Sequence, residues 1–186
     1  MKMLPGMTVI NTCDFNQTKL ATIEISKFDG PVYLRFGRPK VPNFTKVTDS
    51  FNIGKGILLK EGSDVTIVAT GHLVWESLDA STELEKKGIS AEVINIHTIK
   101  PLDEDIILQS VSKTGCLVSA EEHNIFGGLG ESISRLLTTR FPSPQEFIGT
   151  RDTFGESGTP SDLMNKYGLN STSITKSVLD VIKRKR

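Results

Sequence analysis

Short runs of apolar and β-branched residues alternate with segments of helical apolar spacing along the whole of this chain. This alternation is typical of an α/β protein, and it predicts a mostly parallel open sheet with helices on both faces. Late in the chain, Leu129, Ile133, Leu136 and Leu137 give the most regular helical stripe. The predicted strands are 8–12, 32–36, 56–60, 64–70, 91–97, 116–120 and 146–150. Further helices are predicted after an N-cap at Asp14, from His72 to an end at Gly88, from Pro101, and after an N-cap at Thr159, and a last helix carries Ile174, Val178, Val181 and Ile182. The spacing of Ala21, Ile25 and Phe28 predicts the apolar face of the first of these helices.

One segment without clean periodicity interrupts the alternation. Residues 7–37 have the pattern of a single βαβ unit, about the minimum length for a right-handed crossover. Residues 37–56 follow, are rich in Pro and Gly, and have the composition of a linker. We place a domain boundary near Val47, which predicts one unit at 1–46 and a second at 47–186.

The charge balance argues against two classes of function. Lys and Arg total 22 and Asp and Glu total 22, so the formal net charge is zero. Neither a nucleic-acid scaffold nor a polybasic membrane anchor is expected from such a balance. The sequence has no apolar run of the ~18 residues that a membrane span needs, and its start does not resemble a secretory signal, which predicts a cytoplasmic protein. The two cysteines, Cys13 and Cys116, are too few for a disulfide framework or a zinc site, and we expect small buried thiols.

A glycine turn, Gly127-Gly128-Leu129-Gly130, lies between a predicted strand and a predicted helix. Free backbone N–H groups at such a turn can hold a phosphate or a carboxylate. A dinucleotide fingerprint requires a third glycine where this chain has Ile133, and the turn comes late in the sheet order. Close packing of the helix on the strand explains the glycines equally well, and we favour that interpretation.

Glu121, Glu122 and His123 end a strand at its carboxyl edge, where open α/β sheets bind ligands. In an extended chain Glu121 and His123 face one way and Glu122 the other, so the three cannot converge on one metal without a bend. A role in orienting loops or in an interface hydrogen bond is the favoured interpretation. His72 and His97 have no matching acid or cysteine nearby and are interpreted as ordinary surface or hydrogen-bonded residues.

Arg35 and Arg38 lie at the carboxyl end of the second predicted strand. Guanidinium groups bind phosphate with paired hydrogen bonds, so the two arginines are candidates for an anion site. The alternative is that each pairs with a local acid. In contrast, Ser157 falls one residue short of the pattern of a hydrolase nucleophile, and a hydrolase triad has no support.

Several of these segments, taken in order and at their spacing, resemble the C-terminal part of a transketolase. The resemblance covers essentially the whole chain. It implies that residues 1–46 are the tail of the pyrimidine-binding domain of a thiamine-diphosphate enzyme, and that residues 47–186 are the transketolase C-terminal domain. The matching segments are 30–39 (GPVYLRFGRP), 64–71 (DVTIVATG), 120–124 (AEEHN), 127–131 (GGLGE), 157–160 (SGTP), Leu163 and 167–169 (YGL).

The resemblance also implies a reaction and its site residues. A transketolase transfers a two-carbon ketol unit between sugar phosphates, as in the pentose phosphate pathway, with thiamine diphosphate and a divalent Mg or Ca ion as cofactors. The arginine that matches Arg38 contacts the substrate phosphate, and Arg35 is a weaker candidate for the same role. The implied partners are an N-terminal transketolase portion or subunit, a second copy in a homodimer, and the sugar-phosphate substrates.

Other parts of the family pattern are absent from this sequence. The activating glutamate, the aromatic pocket and the Gly-Asp-Gly motif that holds the diphosphate and its metal are not found here. We therefore expect no cofactor bound to this chain alone and no catalysis by it alone. Whether Met1 is a natural start or a truncation stays open at this stage, as does the preferred acceptor sugar.

Two other functions remain open on sequence grounds. A 2-oxo acid dehydrogenase beta subunit or a deoxyxylulose phosphate synthase shares the βαβ tail and the C-terminal sheet, although the Arg38-Pro39 pair and residues 157–169 look more like transketolase. The second alternative is a non-catalytic module for dimerisation or regulation, in which the apolar surface forms the interface.

Overall fold

The structure, a computed structural model, describes residues 1–185, which form eight strands and six helices. The strands are β1 (Thr8–Asn11), β2 (Val32–Arg35), β3 (Ile57–Lys60), β4 (Val65–Ala69), β5 (Ala91–Asn95), β6 (Thr98–Lys100), β7 (Leu117–Asn124) and β8 (Gln145–Thr150). The helices are α1 (Phe15–Ile25), α2 (Leu73–Glu85), α3 (Glu104–Thr114), α4 (Leu129–Arg140), α5 (Pro160–Lys166) and α6 (Ser171–Ile182).

The strands form two sheets of unequal size. The larger sheet has the order β3-β5-β4-β7-β8, in which β5, β4, β7 and β8 pair in parallel and β3 lies antiparallel at the edge. The smaller sheet has the order β2-β1-β6. Its β1 and β2 are parallel and belong to the predicted βαβ unit, whereas β6 pairs with β1 antiparallel and comes from the second half of the chain.

Helices cover both faces of the larger sheet, which confirms the predicted fold class. One apolar core lies under α2 and α6 and contains Leu84, Ile174 and Val178. The other lies under α3 and α4 and contains Ile107 and Ile133. The apolar stripe predicted for α4 is confirmed, because all four of its residues are buried.

Side-chain caps and a glycine in the left-handed conformation explain why several predicted element boundaries are correct. The side chain of Asp14 caps α1 by accepting a hydrogen bond from the backbone N–H of Gln17, and that of Thr159 caps α5 by accepting one from Asp162. Gly88 follows α2 with a φ of 75°, the left-handed conformation that ends many helices. Both cysteines are free and buried, as predicted.

Three predictions at element ends are wrong. The sequence predicts β7 to end at Ala120, but it continues to Asn124, because Asn124 pairs with Thr150 of β8 after a register shift. The strand β6 lies just beyond the predicted end of the preceding strand, and the sequence pattern does not predict it as a separate element. Phe28 lies beyond the end of α1 rather than on its apolar face.

Within residues 1–185, no helix combines the length and the apolar character that crossing a membrane requires. The cytoplasmic location stays a prediction.

Candidate functional site

A cleft of about 1000 Å³ opens where β2 and β7 end. The turn after β2 forms one wall, and the segment from the end of β8 through α5 to the start of α6 forms another. Because the carboxyl ends of parallel strands are where open α/β sheets bind ligands, this is the position that the fold favours for a site. The charged and imidazole side chains that line the cleft are Arg38, Lys40, His72, Glu76, Glu122 and His123.

Arg38 lies in the wall of this cleft, in the bend that follows β2, and its side chain is exposed. The ion pairs that arginines form within residues 1–185 involve Arg35, Arg135 and Arg184, not Arg38. An exposed guanidinium without a carboxylate partner is suited to binding an anion from solution. Phosphate binding by Arg38 stays a prediction.

Arg35 has a different environment. It is the last residue of β2 and lies half-buried, with a guanidinium nitrogen 3.7 Å from Oε1 of Glu122. It is not among the residues that line the cleft, so the structure separates the two arginines that the sequence places three positions apart. A phosphate contact from Arg35 also stays a prediction.

Glu122 connects Arg35 to a histidine that lies fifty positions earlier in the chain. Nδ1 of His72 is 3.2 Å from Oε2 of Glu122, and because a carboxylate only accepts hydrogen bonds, Nδ1 is the donor. This hydrogen bond and the nearby Arg35 guanidinium lower the pKa of the Glu122 carboxyl, although burial opposes the shift. The interpretation that His72 has no acid nearby is therefore wrong, because the fold brings one to it.

Glu121 points away from Glu122, as predicted for neighbours on a strand. Its two carboxylate oxygens accept hydrogen bonds from the backbone N–H groups of Leu129, at 2.7 Å, and Gly130, at 2.8 Å. Burial raises the pKa of the Glu121 carboxyl, although these two donors oppose the shift. The chain's own carboxylate thus occupies the position at the start of α4 where a phosphate could otherwise bind, and the favoured packing interpretation of the glycine turn is supported.

Two of the three glycines in this turn, Gly128 and Gly130, are needed for close approach. A Cβ atom on Gly128 would lie 2.1 Å from Oε2 of Glu121, and one on Gly130 would lie 2.6 Å from Oγ of Ser119. His123, on the same side as Glu121, is half exposed, and its Nδ1 lies 2.7 Å from the carbonyl oxygen of Asn124. The Glu121-Glu122-His123 run therefore orients a helix start and a loop.

Two polar contacts at the cleft, one of them the His72–Glu122 contact, have no signal in the local sequence. Glu76, on α2, accepts a hydrogen bond of 2.7 Å from the backbone N–H of Ser171 at the start of α6. The His72–Glu122 contact likewise joins residues from two different elements. Local spacing cannot indicate such pairs, because the two residues of each pair are far apart in the chain and meet only in the assembled fold.

Thiamine diphosphate and its metal are the cofactors that the resemblance implies for a complete enzyme. The sequence lacks the Gly-Asp-Gly motif. Within residues 1–185, no three His, Cys, Asp or Glu side chains are grouped so that they could hold a metal ion. The described residues therefore do not fit the diphosphate–metal part of the cofactor.

The comparisons with known proteins place these observations in one family. The sequence profile described as "Transketolase, C-terminal domain" matches residues 54–174. The chain is 43% identical over 185 residues to a 6-deoxy-6-sulfo-D-fructose transketolase subunit from Clostridium sp. (strain MSTE9), an alignment that covers 100% of this chain and 58% of that protein. It is 34% identical over 185 residues to a subunit of an apulose-4-phosphate transketolase from Phocaeicola vulgatus, covering 99% of this chain and 59% of that protein.

A solved structure agrees with the sequence comparisons. The fold matches a split gene transketolase, described as an inactive beta4 tetramer, with a TM-score of 0.97 and 39% sequence identity, covering 100% of this chain and 61% of that one. The chain thus spans about three fifths of the length of the proteins that it matches. The matching profile, the shared fold and the motifs described above show that the chain belongs to the transketolase C-terminal domain family.

Proposed function

We propose that this chain is the substrate-anion-binding part of a transketolase, and that Arg38 binds the terminal anionic group of the sugar. The observation that carries the proposal is the exposed guanidinium of Arg38 in the wall of a cleft at the carboxyl edge of the strands. Lys40 lines the same cleft and adds a second positive charge to that wall. Two cations on one wall attract a doubly charged anion more strongly than either does alone.

The names of the relatives narrow the substrate class. One relative is named for a sugar with a sulfo group at its terminal carbon, and the other for a sugar phosphate. Both groups are tetrahedral anions whose oxygens accept hydrogen bonds from a guanidinium. We therefore propose a short ketose with a terminal phosphate or sulfonate as the substrate, and ketol transfer as the reaction of the complete enzyme.

In this proposal the carbon–carbon chemistry depends on a complementary N-terminal transketolase portion or subunit. Thiamine diphosphate supplies the electron sink when bound in the complete enzyme. This chain's residues bind and orient the sugar: Arg38 and Lys40 fix the anionic end, and the cleft beside them receives the rest of the molecule. A role in the pentose phosphate pathway and assembly as a homodimer belong to the same proposal.

The test is steady-state kinetics on a complete enzyme in which this chain is the C-terminal part. The Arg38→Met variant loses charge-assisted hydrogen bonds worth about 2 kcal/mol, so we expect KM for xylulose 5-phosphate to rise about 30-fold. The KM for an unphosphorylated ketose should change little. Measuring KM for 6-deoxy-6-sulfofructose in the same two enzymes shows whether Arg38 binds a sulfonate, a phosphate or both.

The matched control is Arg140→Met, which removes an exposed arginine at the end of α4 that does not line the cleft. If Arg38→Met affects KM for the phosphorylated sugar no more than this control does, Arg38 does not bind the anion. Turnover of pyruvate instead of a ketose would favour a deoxyxylulose phosphate synthase or a 2-oxo acid dehydrogenase.

A further inference from the structure

The ring of His72 lies against the turn that carries Arg38. A Cβ atom on Gly37 would lie 1.9 Å from Nε2 of His72 and 2.0 Å from its Cε1. Gly37 is not among the glycines with positive φ, so its backbone conformation alone would allow alanine. Position 37 therefore requires glycine because the imidazole fills the space that a side chain would need.

The imidazole is also fixed from its other side. His72 is 8% exposed, and its Nδ1 donates to Glu122 over 3.2 Å. The same carboxylate lies 3.7 Å from the guanidinium of Arg35, two residues before Gly37. The ring therefore cannot turn away from Gly37 without breaking the hydrogen bond to Glu122.

These contacts join three elements at the cleft. Arg35 ends β2, Glu122 lies on β7, and His72 directly precedes α2. The turn after β2 is the part of the cleft wall that bears Arg38, and a ring fixed against Gly37 limits how that turn can move. Restricting the turn before binding reduces the conformational entropy that binding would otherwise cost.

We propose that His72 and Glu122 are positioning residues: they hold the Gly37–Arg38 turn in place and thereby set the affinity of Arg38 for a terminal anion. This inference rests on the proposed function of Arg38. It also assigns to Glu122 a role in holding His72 and Arg35, rather than in contacting the sugar.

The first experiment needs no ligand. The ¹⁵N-labelled full chain is compared with His72→Ala by heteronuclear NOE at the amides of Gly37 and Arg38. We expect both NOE values to fall in His72→Ala, because the turn loses its contact. His123→Ala, which removes another imidazole of the same cleft, should leave both values unchanged. An unchanged NOE in His72→Ala would overturn the inference.

Two substitutions of Glu122 separate positioning from general destabilisation. Glu122→Gln keeps an oxygen that can accept the His72 hydrogen bond, whereas Glu122→Ala removes it. We expect the NOE values at Gly37 and Arg38 to fall in Glu122→Ala and to recover largely in Glu122→Gln. Equal loss in both variants, or no loss in either, would contradict a role for Glu122 in holding the ring.

The second experiment titrates inorganic phosphate into the full chain and follows the Arg38 side-chain Nε–H signal. Each of His72→Ala and Gly37→Ala should raise Kd about fivefold, since each frees or displaces the turn. The double variant should bind phosphate more tightly than Gly37→Ala alone, because the alanine methyl group then occupies space that the ring has left. A double variant that binds no better than Gly37→Ala would overturn the proposed contact.

Arg38→Met separates this inference from the proposed function. If Arg38→Met binds phosphate as well as the unaltered chain, or if the unaltered chain binds none, the proposed role of Arg38 fails and the inference fails with it. If Arg38→Met loses phosphate binding while the Gly37 and His72 variants keep the Kd of the unaltered chain, only the positioning inference fails.

Discussion

His97 is a buried histidine outside the cleft. Its ring stacks on Phe51 with 4.1 Å between centroids, and its Nδ1 lies 2.9 Å from Oγ1 of Thr98. Burial lowers its pKa to about 4, although the nearby Asp103 opposes the shift. Of the two interpretations of His97, the hydrogen-bonded one is correct. His97 is not a surface residue, because it is almost fully buried.

We expect His97 to make the fold sensitive to acid. Its folded-state pKa of about 4 lies below the ordinary histidine value of 6.5, so protons bind the unfolded chain first as the pH falls. Stability that is fully present above pH ~6.5 is therefore lost as the pH falls towards about 4, by about 3 kcal/mol from this one residue. Urea unfolding at a series of pH values gives the slope of the free energy of unfolding against pH. We expect His97→Phe to remove the part of that slope that His97 contributes.

The control for this measurement is Phe51→Leu, which alters the stacking partner and leaves the histidine in place. We expect it to lower the free energy of unfolding at all pH values while retaining the slope. A slope that persists unchanged in His97→Phe would show that other groups cause the acid sensitivity.

The residues of the cleft show which site features a sequence can predict. The position of Arg38 follows from local pattern, because a strand followed by a Gly-Arg-Pro bend puts the arginine at a carboxyl edge. The opposite directions of Glu121 and Glu122 follow from the two-residue period of a strand. The His72–Glu122 contact could not be predicted, because it requires the pairing of β4 with β7 to bring the ends of the two strands together.

At the scale of elements, the side chain of Asp14 joins the start of α1 to the predicted linker, beside hydrogen bonds from Phe15 to Asn43 and from Asn16 to Thr45. Asp14 caps the helix and also accepts hydrogen bonds from the backbone N–H groups of Phe44, at 3.0 Å, and Thr45, at 2.8 Å. The Thr45 hydroxyl donates to the same carboxylate over 2.7 Å. The sequence predicts the cap but not the attachment, because the donors lie about thirty residues away in a segment without periodicity.

We predict that Asp14→Ala costs more than the loss of an ordinary helix cap. A cap alone is worth about 1 kcal/mol, and losing a buried carboxylate's further hydrogen bonds should bring the total to about 3 kcal/mol. Urea unfolding of the full chain measures the change. The matched control is Asn170→Ala, which removes the cap of α6 and should cost about 1 kcal/mol. Equal costs would show that the attachment to residues 44 and 45 adds no stability.

The strands show a similar limit to prediction. Apolar and β-branched residues identify β4 and β5, which are buried along their whole length. The three-residue strand β6 follows β5 without an intervening Gly or Pro, so the sequence contains no signal that a new strand begins. Its pairing with β1 is a contact between distant parts of the chain, and only the assembled fold determines it.

At the scale of the whole molecule, the two predicted units share both a sheet and a core. The strand β6 from the second unit pairs with β1 of the first. Phe51, also from the second unit, packs in the small core with Ile10 and Ala21. In the other direction, Cys13 lies in the main core beneath α2 and α6, where its sulfur accepts a hydrogen bond from the side chain of Asn95. The boundary at residue 47 stays a prediction, and these contacts predict that the units do not unfold separately.

The two free cysteines provide a test, because one lies in each predicted unit. Cys13 and Cys116 are buried, and burial raises the pKa of both thiols, so neither should react with a maleimide in the folded chain. We expect pulses of maleimide at increasing urea, analysed by peptide mass spectrometry, to label both thiols with the same midpoint. Circular dichroism of the same samples should give that midpoint too. Labelling of Cys13 at lower urea than Cys116 would mean that residues 1–46 unfold on their own, and that the strand and core contacts between the units contribute too little free energy to couple them.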